Sequence, residues 1–444
     1  MVKNMDKLLE VREYESITCN EDYRNDPQYN YLNKEIFTEL ENFILTFNEN
    51  QSGDALDFLK IGVRRNVGKV IQAKNFVGLI QMKNGFQVQI LPKVTASEME
   101  DTKTTFLRML RSMKDFPSKV FNDASLKMDR MNLYEIFINM YIQELRNLLK
   151  RGLRSAYLPI EDNLNFFKGK LIVQEQIKNN YAHKERFFVR YDEFEVNRPE
   201  NKLIKSTLLK LQKLSSSSAN IKEIRKLLTA FEMVKPSTNF TKDFSRVVID
   251  RNTKDYEILM SWSRVFLLNQ SFTTFSGNTT ARALLFPMEK VFESYVAQHL
   301  KRVLADLPWE VSTQDKGHYL FNHPKQFALR PDIVITRDDQ STIILDTKWK
   351  SLTNQPRQNY GISQADMYQM YAYSKKYQTP EIWLLYPMNE EMKDAEISFE
   401  SFYQDLGLET KIRLFFVDVT NIEESLGELR GKLIQGISVK EQMT

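Results

Sequence analysis

A chain of 444 residues, 42% hydrophobic and 27% charged, is long enough for two or three domains with sizeable cores. It contains no apolar run near the roughly 18 residues of a membrane span, and the charged N-terminus does not read as a signal peptide. The single cysteine, Cys19, excludes an intrachain disulfide and a cysteine-rich zinc site, to which four scattered histidines add little, and the lack of disulfides leads us to expect a reducing cytoplasm. The net charge of +4 permits a nucleic-acid partner without requiring one.

Residues 1 to about 55 are acidic and polar. A helix is expected over Lys34 to Phe47, where Ile36, Phe37, Leu40, Phe43 and Ile44 recur at helical spacing. From Ala55 to Val94 the pattern changes to short strands broken by glycine. Around Asn84-Gly85 a two-residue turn would set apolar residues opposite glutamines. A three-residue loop, Lys83-Asn84-Gly85, instead matches Met82 with Phe86 and Ile80 with Val88, so a type I turn with left-handed Gly85 is predicted. Pro92 then ends the sheet. The stretch Gly62 to Val70 imitates a phosphate-binding loop, but five residues separate Gly62 from Gly68, and Val70 stands where a magnesium-binding hydroxyl is required. A basic hairpin is the expectation, with no nucleotide bound by this chain.

The segment from 103 to about 277 reads as mainly helical. Leu133, Ile136, Phe137, Met140, Tyr141, Leu145 and Leu148 have helical periodicity, and Gly152 supplies a stop. Short strands are expected at Lys170–Gln174 and Phe187–Tyr191. A further helix runs from near Glu200 to the serine run Ser215–Ser218, read as a loop or mobile turn. Arg146, Lys150, Arg151 and Arg154 could track a DNA backbone, although a solvated helix end serves equally well as an explanation.

From about Asn278 the pattern is alternating helix and strand. Pro287 opens a helix with an apolar stripe through Met288, Val291, Phe292, Tyr295, Val296 and Leu300, bordered by Glu289 and Glu293. A helix over Ser363 to Tyr377 places Gln369 and Tyr373 on one face, and strands at Ile382–Tyr386 and Ile412–Val419 precede a closing helix near Ile422–Leu433. The expected class is multidomain α+β: a β-rich segment 1–102, a mainly helical segment 103–277, and an α/β core 278–444 with a mixed sheet flanked by helices.

Chemistry concentrates at residues 329–350. Two β-branched runs, Ile333–Ile335 and Thr342–Leu345, are split by a polar loop from Arg337 to Ser341, which reads as a hairpin. A register symmetric about Asp339 sets Asp332 across from Asp346, with opposed residues roughly 4.5–5.5 Å apart. The two-residue period adds Lys348 to the same face. Two acids and a lysine converging on an apolar hairpin are costly unless a cation lies between the acids, so a divalent metal site is expected. A strand-end salt bridge is the plainer alternative. Trp349 and Trp383 read as core.

The Pro-Asp of RPDIVI, the Asp346-Thr347-Lys348 triplet, a helical glutamate upstream and a Gln-x-x-x-Tyr helix downstream resemble the PD-(D/E)xK nuclease superfamily. Together with LLFPMEKVFESYV, DMYQMYAYSKKY, FFKGKLIVQEQI, NRPENKLIK and VGLIQMKNGFQVQILPK they resemble McrC, the nuclease subunit of McrBC-type modification-dependent restriction systems, over most of residues 55 to 390. Pro287-Met288-Glu289 stands where that family often has Asp-Met-Asn, while Phe292-Glu293 is intact.

The resemblance implies a Mg²⁺-dependent endonuclease (with Mn²⁺ able to substitute) that cuts double-stranded DNA carrying methylcytosine-type modification. It also implies an AAA+ GTPase partner, McrB, which recognises the modified base and drives translocation while this chain stimulates GTP hydrolysis and docks through its β-rich N-terminal part. Asp346 is then the principal metal ligand, Asp332 the second and Glu293 a supporting one, with the Thr347 carbonyl as a further oxygen. Lys348 acts on the attacking water or the phosphorane, and Gln369 and Tyr373 position Lys348 or a DNA phosphate. Rival readings are a stand-alone nuclease of repair or recombination and a non-cutting activator of a motor.

Overall fold

The computed structural model describes residues 8–49, 58–82, 84–93, 99–113, 116, 132–251, 253–268, 281–393, 395–403 and 408–441. The chain forms two compact units: Met1–Phe116 with Asn278–Thr444, and Pro117–Gly277.

The acidic N-terminal stretch is not a bare extension. It contributes β1 (Leu8–Arg12), β2 (Ser16–Thr18), β3 (Tyr29–Tyr31) and α1 (Lys34–Glu49), the last close to expectation. β4 (Leu59–Arg64) and β5 (Gly68–Ala73) form the basic hairpin, and join β2 and β3 in a sheet ordered β3-β2-β5-β4. β6 (Phe76–Met82) and β7 (Gln87–Leu91) pair with Ile80 opposite Val88. Gly85 N–H donates to the Met82 carbonyl, and Gly85 lies at φ +83°, as the turn chemistry predicts. Lys83, the remaining loop residue, lies outside the described residues. α2 (Met99–Arg111) follows.

The second unit begins with α3 (Leu133–Arg151), capped by Asn132 Oδ1 accepting from Glu135 N–H at 2.9 Å and ended by Gly152 at φ +82°. It is less uniformly helical than expected. β8 (Ala156–Leu164), β9 (Lys170–Leu171), α4 (Val173–Asn180) and β10 (Phe187–Glu195) build an antiparallel sheet ordered β8-β10-β9. α5 (Pro199–Leu214), α6 (Ser218–Thr229), α7 (Phe240–Arg246) and α8 (Glu257–Leu268) complete it, around Tyr141, Leu208, Trp262 and Phe266. The serine run is an ordered link rather than a free loop. Ser215 Oγ and Ser216 N–H donate to the buried Glu135 carboxylate at 2.7 and 2.6 Å, because a buried acid needs its lone pairs filled.

The chain re-enters the first unit through β11 (Ala281–Pro287), which pairs antiparallel with β6 and completes a sheet ordered β1-β7-β6-β11. The pairing is close: a Cβ on Gly78, at φ +144°, would stand 2.0 Å from the Leu284 carbonyl oxygen, so only glycine fits. This strand is why the expected segments 1–102 and 278–444 merge into one unit. A pairing across some 200 positions has no local signature.

α9 (Met288–Val303) buries the expected stripe of Met288, Val291, Phe292, Tyr295, Val296 and Leu300. Then come β12 (Glu310–Thr313), the small ribbon β13 (Tyr319–Asn322) and β14 (Lys325–Ala328), β15 (Ile333–Thr336), β16 (Thr342–Thr347), α10 (Gln364–Tyr377), β17 (Glu381–Pro387), β18 (Ser398–Tyr403), β19 (Leu408–Val417) and α11 (Ile422–Glu441). Six of these strands form a mixed sheet ordered β12-β15-β16-β17-β19-β18, parallel only through β16, β17 and β19. Ile344, Ile382, Leu384, Leu414 and Phe416 alternate onto one face and pack against Met370 and Tyr373 of α10. Among the described residues, no helix is long and apolar enough to cross a membrane.

Candidate active site

The β15–β16 hairpin has the predicted register: Ile333 faces Leu345, Ile335 faces Ile343, and Arg337 N–H closes the loop on the Ser341 carbonyl at 2.9 Å. One more step along the ladder brings Asp332 opposite Asp346. Both acids are held by neighbouring strand ends. Asp332 Oδ2 accepts from Thr347 N–H at 2.7 Å and from Thr347 Oγ1 at 2.6 Å, so Thr347 acts here as a double donor that fixes Asp332. Asp346 is 1% exposed. Lys348 Nζ lies 2.6 Å from Asp346 Oδ2, a buried ion pair in which charge attraction and a short contact act together.

α10 supplies the next contacts. Ser363 caps it, accepting from Asp366 N–H at 3.1 Å, and the i,i+4 spacing aims Gln369 and Tyr373 at the hairpin. Lys348 Nζ donates to Gln369 Oε1 at 3.0 Å, and Gln369 Nε2 donates to the Tyr373 hydroxyl at 2.7 Å. The donor-only ammonium selects the amide oxygen, and Tyr373 anchors the other end of the same amide. Burial, Asp346 and Asp332 push the Tyr373 phenol upward, keeping it neutral.

Glu293 reaches the site from α9. Its Oε1 accepts from Gln314 Nε2 at 2.8 Å, while Gln314 N–H donates to the Asp332 carbonyl at 3.0 Å. Burial, with Asp332 nearby, raises the Glu293 carboxyl to about 7. Burial and then Asp332 raise Asp346 to about 7, and burial raises Asp332 despite its bonds from Thr347. Burial pulls the Lys348 ammonium down, but Asp346 and Asp332 outweigh it and the net shift is upward. One cation therefore faces more carboxylate charge than it neutralises, and burial sharpens the repulsion.

Among the described residues, no group of three or more His, Cys, Asp and Glu side chains stands in a metal-holding arrangement. Asp332 and Asp346 are thus a two-carboxylate set, with Glu293 acting on them electrostatically. That set suits magnesium, which takes one or two carboxylates and keeps several waters. An Asp346 carboxylate buried across from Asp332, with both carboxyls raised by burial, fits a divalent cation.

The structure adds residues that sequence reading did not find. Trp349 Nε1 donates to both oxygens of buried Glu13 at 3.1 and 3.0 Å, and the Trp349 ring packs on Phe292 at 5.3 Å. Gln314 and Glu13 have no motif around them; only long-range pairing brings them here. Trp383 is core, as expected, with its indole N–H on Glu381. The basic group fares differently. In the second unit Arg146 forms an ion pair with Glu223 and Arg151 with Asp255, both arginine side chains staying exposed. The Arg154 backbone N–H donates to the Tyr256 hydroxyl at 2.9 Å.

These features define an α+β protein with a buried carboxylate–lysine centre at the end of a central strand pair. Residues 71–387 match the model of the McrBC 5-methylcytosine restriction system component family, and the chain belongs to that family. Comparison with curated proteins gave no match. The fold is similar to a chain in the refined half-complex from a tetradecameric assembly of Thermococcus gammatolerans McrB AAA+ hexamers with bound McrC. The two share 20% identity over 96% of this chain and 100% of that one, with a TM-score of 0.69. A second similar chain belongs to the Thermococcus gammatolerans McrBC complex, at 22% identity over 67% of this chain and 88% of that one, with a TM-score of 0.49.

Proposed function

We propose that this chain is the nuclease subunit of a McrBC-type restriction complex, a PD-(D/E)xK endonuclease that cuts modified double-stranded DNA and stimulates the GTPase of an AAA+ partner. The observation that carries this reading is the chain of contacts Asp346–Lys348–Gln369–Tyr373 beside Asp332, inside the segment that matches the family. A surface salt bridge would not need Asp346 buried, Asp332 opposite it, or a helix supplying two more side chains to the lysine. The similar fold in an assembly of McrB with bound McrC supports a motor partner.

Asp332 and Asp346 would hold Mg²⁺ or Mn²⁺, with Glu293 in support and the Thr347 carbonyl as a further oxygen. When bound, the ion supplies positive charge against the negative charge that builds on the phosphate during hydrolysis. Thr347 keeps Asp332 facing the site, and Asp346 keeps the Lys348 ammonium there. Gln369 orients that ammonium through its oxygen, leaving its third proton for a water or a phosphate oxygen. Glu293, whose carboxyl burial raises to about 7 when no metal is bound, accepts from Gln314 and so ties α9 to the strand end.

The purified chain is tested on methylcytosine-containing DNA with Mg²⁺, with and without the AAA+ partner and GTP. Cutting that requires both supports the proposal. Cutting without a motor would favour a free-standing nuclease, and GTPase stimulation without cutting under any of these conditions would favour a non-cutting activator.

A further inference from the structure

Between Gln314 and Asp332, both at the site, the chain leaves the six-stranded sheet and returns as the two-stranded ribbon β13–β14, paired Tyr319 with Ala328, Phe321 with Gln326 and Asn322 with Lys325. Its base is fastened to α10. Tyr377 hydroxyl donates to Asp315 Oδ2 at 2.7 Å, the His318 and Tyr377 rings lie 4.0 Å apart, and the Arg330 backbone bonds to Tyr373. Leu329 N–H donates to the His318 carbonyl at 2.9 Å. Beyond that point residues 320–327 are all exposed.

What this exposed part carries is unusual for a solvated hairpin. Phe321 is 55% and Phe327 69% exposed, and their rings meet edge to face at 5.9 Å. Phe327 lies at φ +56°, a left-handed conformation that bulky residues avoid, and its side chain gains little burial in return. Lys316, Lys325 and Arg330 face a single acid, Asp315, over residues 315–330, and that acid is bound by Tyr377. Lys325 stands over the Tyr319 ring, and among the described residues none of these three cations forms an ion pair; exposed aromatics flanked by such cations mark a surface that meets a polyanion with flat apolar groups.

We infer that the β13–β14 ribbon engages the DNA duplex beside the cleavage centre, with Lys316, Lys325 and Arg330 on phosphates and Phe321 and Phe327 against the bases. A two-stranded ribbon fits the major groove, and apolar wedges are a known means of opening a base step. The ribbon starts and ends at Gln314 and Asp332, so its hold on DNA fixes where the backbone meets the carboxylates. This inference rests on the nuclease reading, and a protein partner is the competing occupant.

The test uses the full chain with its AAA+ partner, in an Asp346→Asn background so that binding is read without cutting. Phe327→Gly removes the ring while relieving the left-handed backbone, so folding is preserved, and thermal melting checks this. Phe327→Gly is expected to weaken DNA binding roughly tenfold, in the range of a lost base–aromatic stack. Lys325→Ala should lower the slope of log affinity against log salt by about one. A fluorescent base analogue near the cut should lose its unstacking signal in Phe327→Gly. Wild-type affinity, slope and signal in both variants would overturn the inference, as would loss of partner association with DNA binding intact. A parent complex that binds duplex DNA through the ribbon but never cuts it sinks the nuclease reading and leaves this one standing.

Discussion

Trp349, the residue after Lys348, donates its indole N–H to both carboxylate oxygens of Glu13, 336 positions earlier in the chain. Lys93 N–H donates to the same carboxylate at 3.0 Å, and burial raises the Glu13 carboxyl to about 8. The N-terminal sheet and the strand end bearing the candidate site are therefore joined by a buried, uncharged acid. Glu13→Ala leaves two buried donors unpaired and should cost about 2–6 kcal/mol, at 1–3 per unsatisfied group, whereas Glu13→Gln keeps an acceptor and costs less. Urea denaturation of the two variants measures this.

The carboxylates make a pH prediction. Asp346 and Glu293 hold protons to about pH 7, whereas unfolded they release them near 3.8 and 4.5. Between those values the folded state binds more protons than the unfolded one, so metal-free stability falls as pH rises from about 4 to about 7, and Glu13 extends the fall to about 8. Asp346→Asn should remove its share of that fall. Added Mg²⁺ should raise the melting temperature of the wild type at pH 8 and much less at pH 5, where protons compete. A wild type and an Asp346→Asn variant with the same pH dependence would contradict the assignment.

Lys348 is held between Asp346 and Gln369, and the Tyr373 hydroxyl anchors Gln369 by accepting from its amide nitrogen. Tyr373→Phe removes that hydroxyl without emptying the core, so turnover should fall on the order of tenfold while DNA affinity is unchanged, as for a mispositioned catalytic group. Lys348→Ala should cost more, roughly a hundredfold or beyond. Single-turnover cleavage alongside equilibrium binding separates the two effects.

Gly78→Ala would set a Cβ 2.0 Å from the Leu284 carbonyl oxygen at a backbone angle unsuited to an L side chain. β11 would have to move off β6, at a cost of about 3 kcal/mol or more for overpacking plus strain. Thermal melting should show that loss, with the β6–β11 amides exchanging fastest.

What could be read from sequence was what short range determines. The Asp332/Asp346 register followed from two β-branched runs about a polar loop, and the left-handed Gly85 followed from which loop length kept glutamines off apolar partners. Gln369 and Tyr373 followed from helical spacing. Glu13 and Gln314 did not, because nothing near them in the chain shows that they meet Trp349 and Glu293. Similarly, the ion pairs of Arg146 with Glu223 and Arg151 with Asp255 join separate elements and have no local signature.

The central claim is that Asp346, across from Asp332 and against Lys348, is the working carboxylate of a phosphodiester-cleaving centre. The most direct measurement is the cleavage rate of modified DNA by the assembled complex carrying Asp346→Asn, read together with partner binding and GTP hydrolysis. The account predicts cutting lowered on the order of a thousandfold or more, with partner binding and GTPase stimulation retained. Cutting at the wild-type rate by that complex would contradict it.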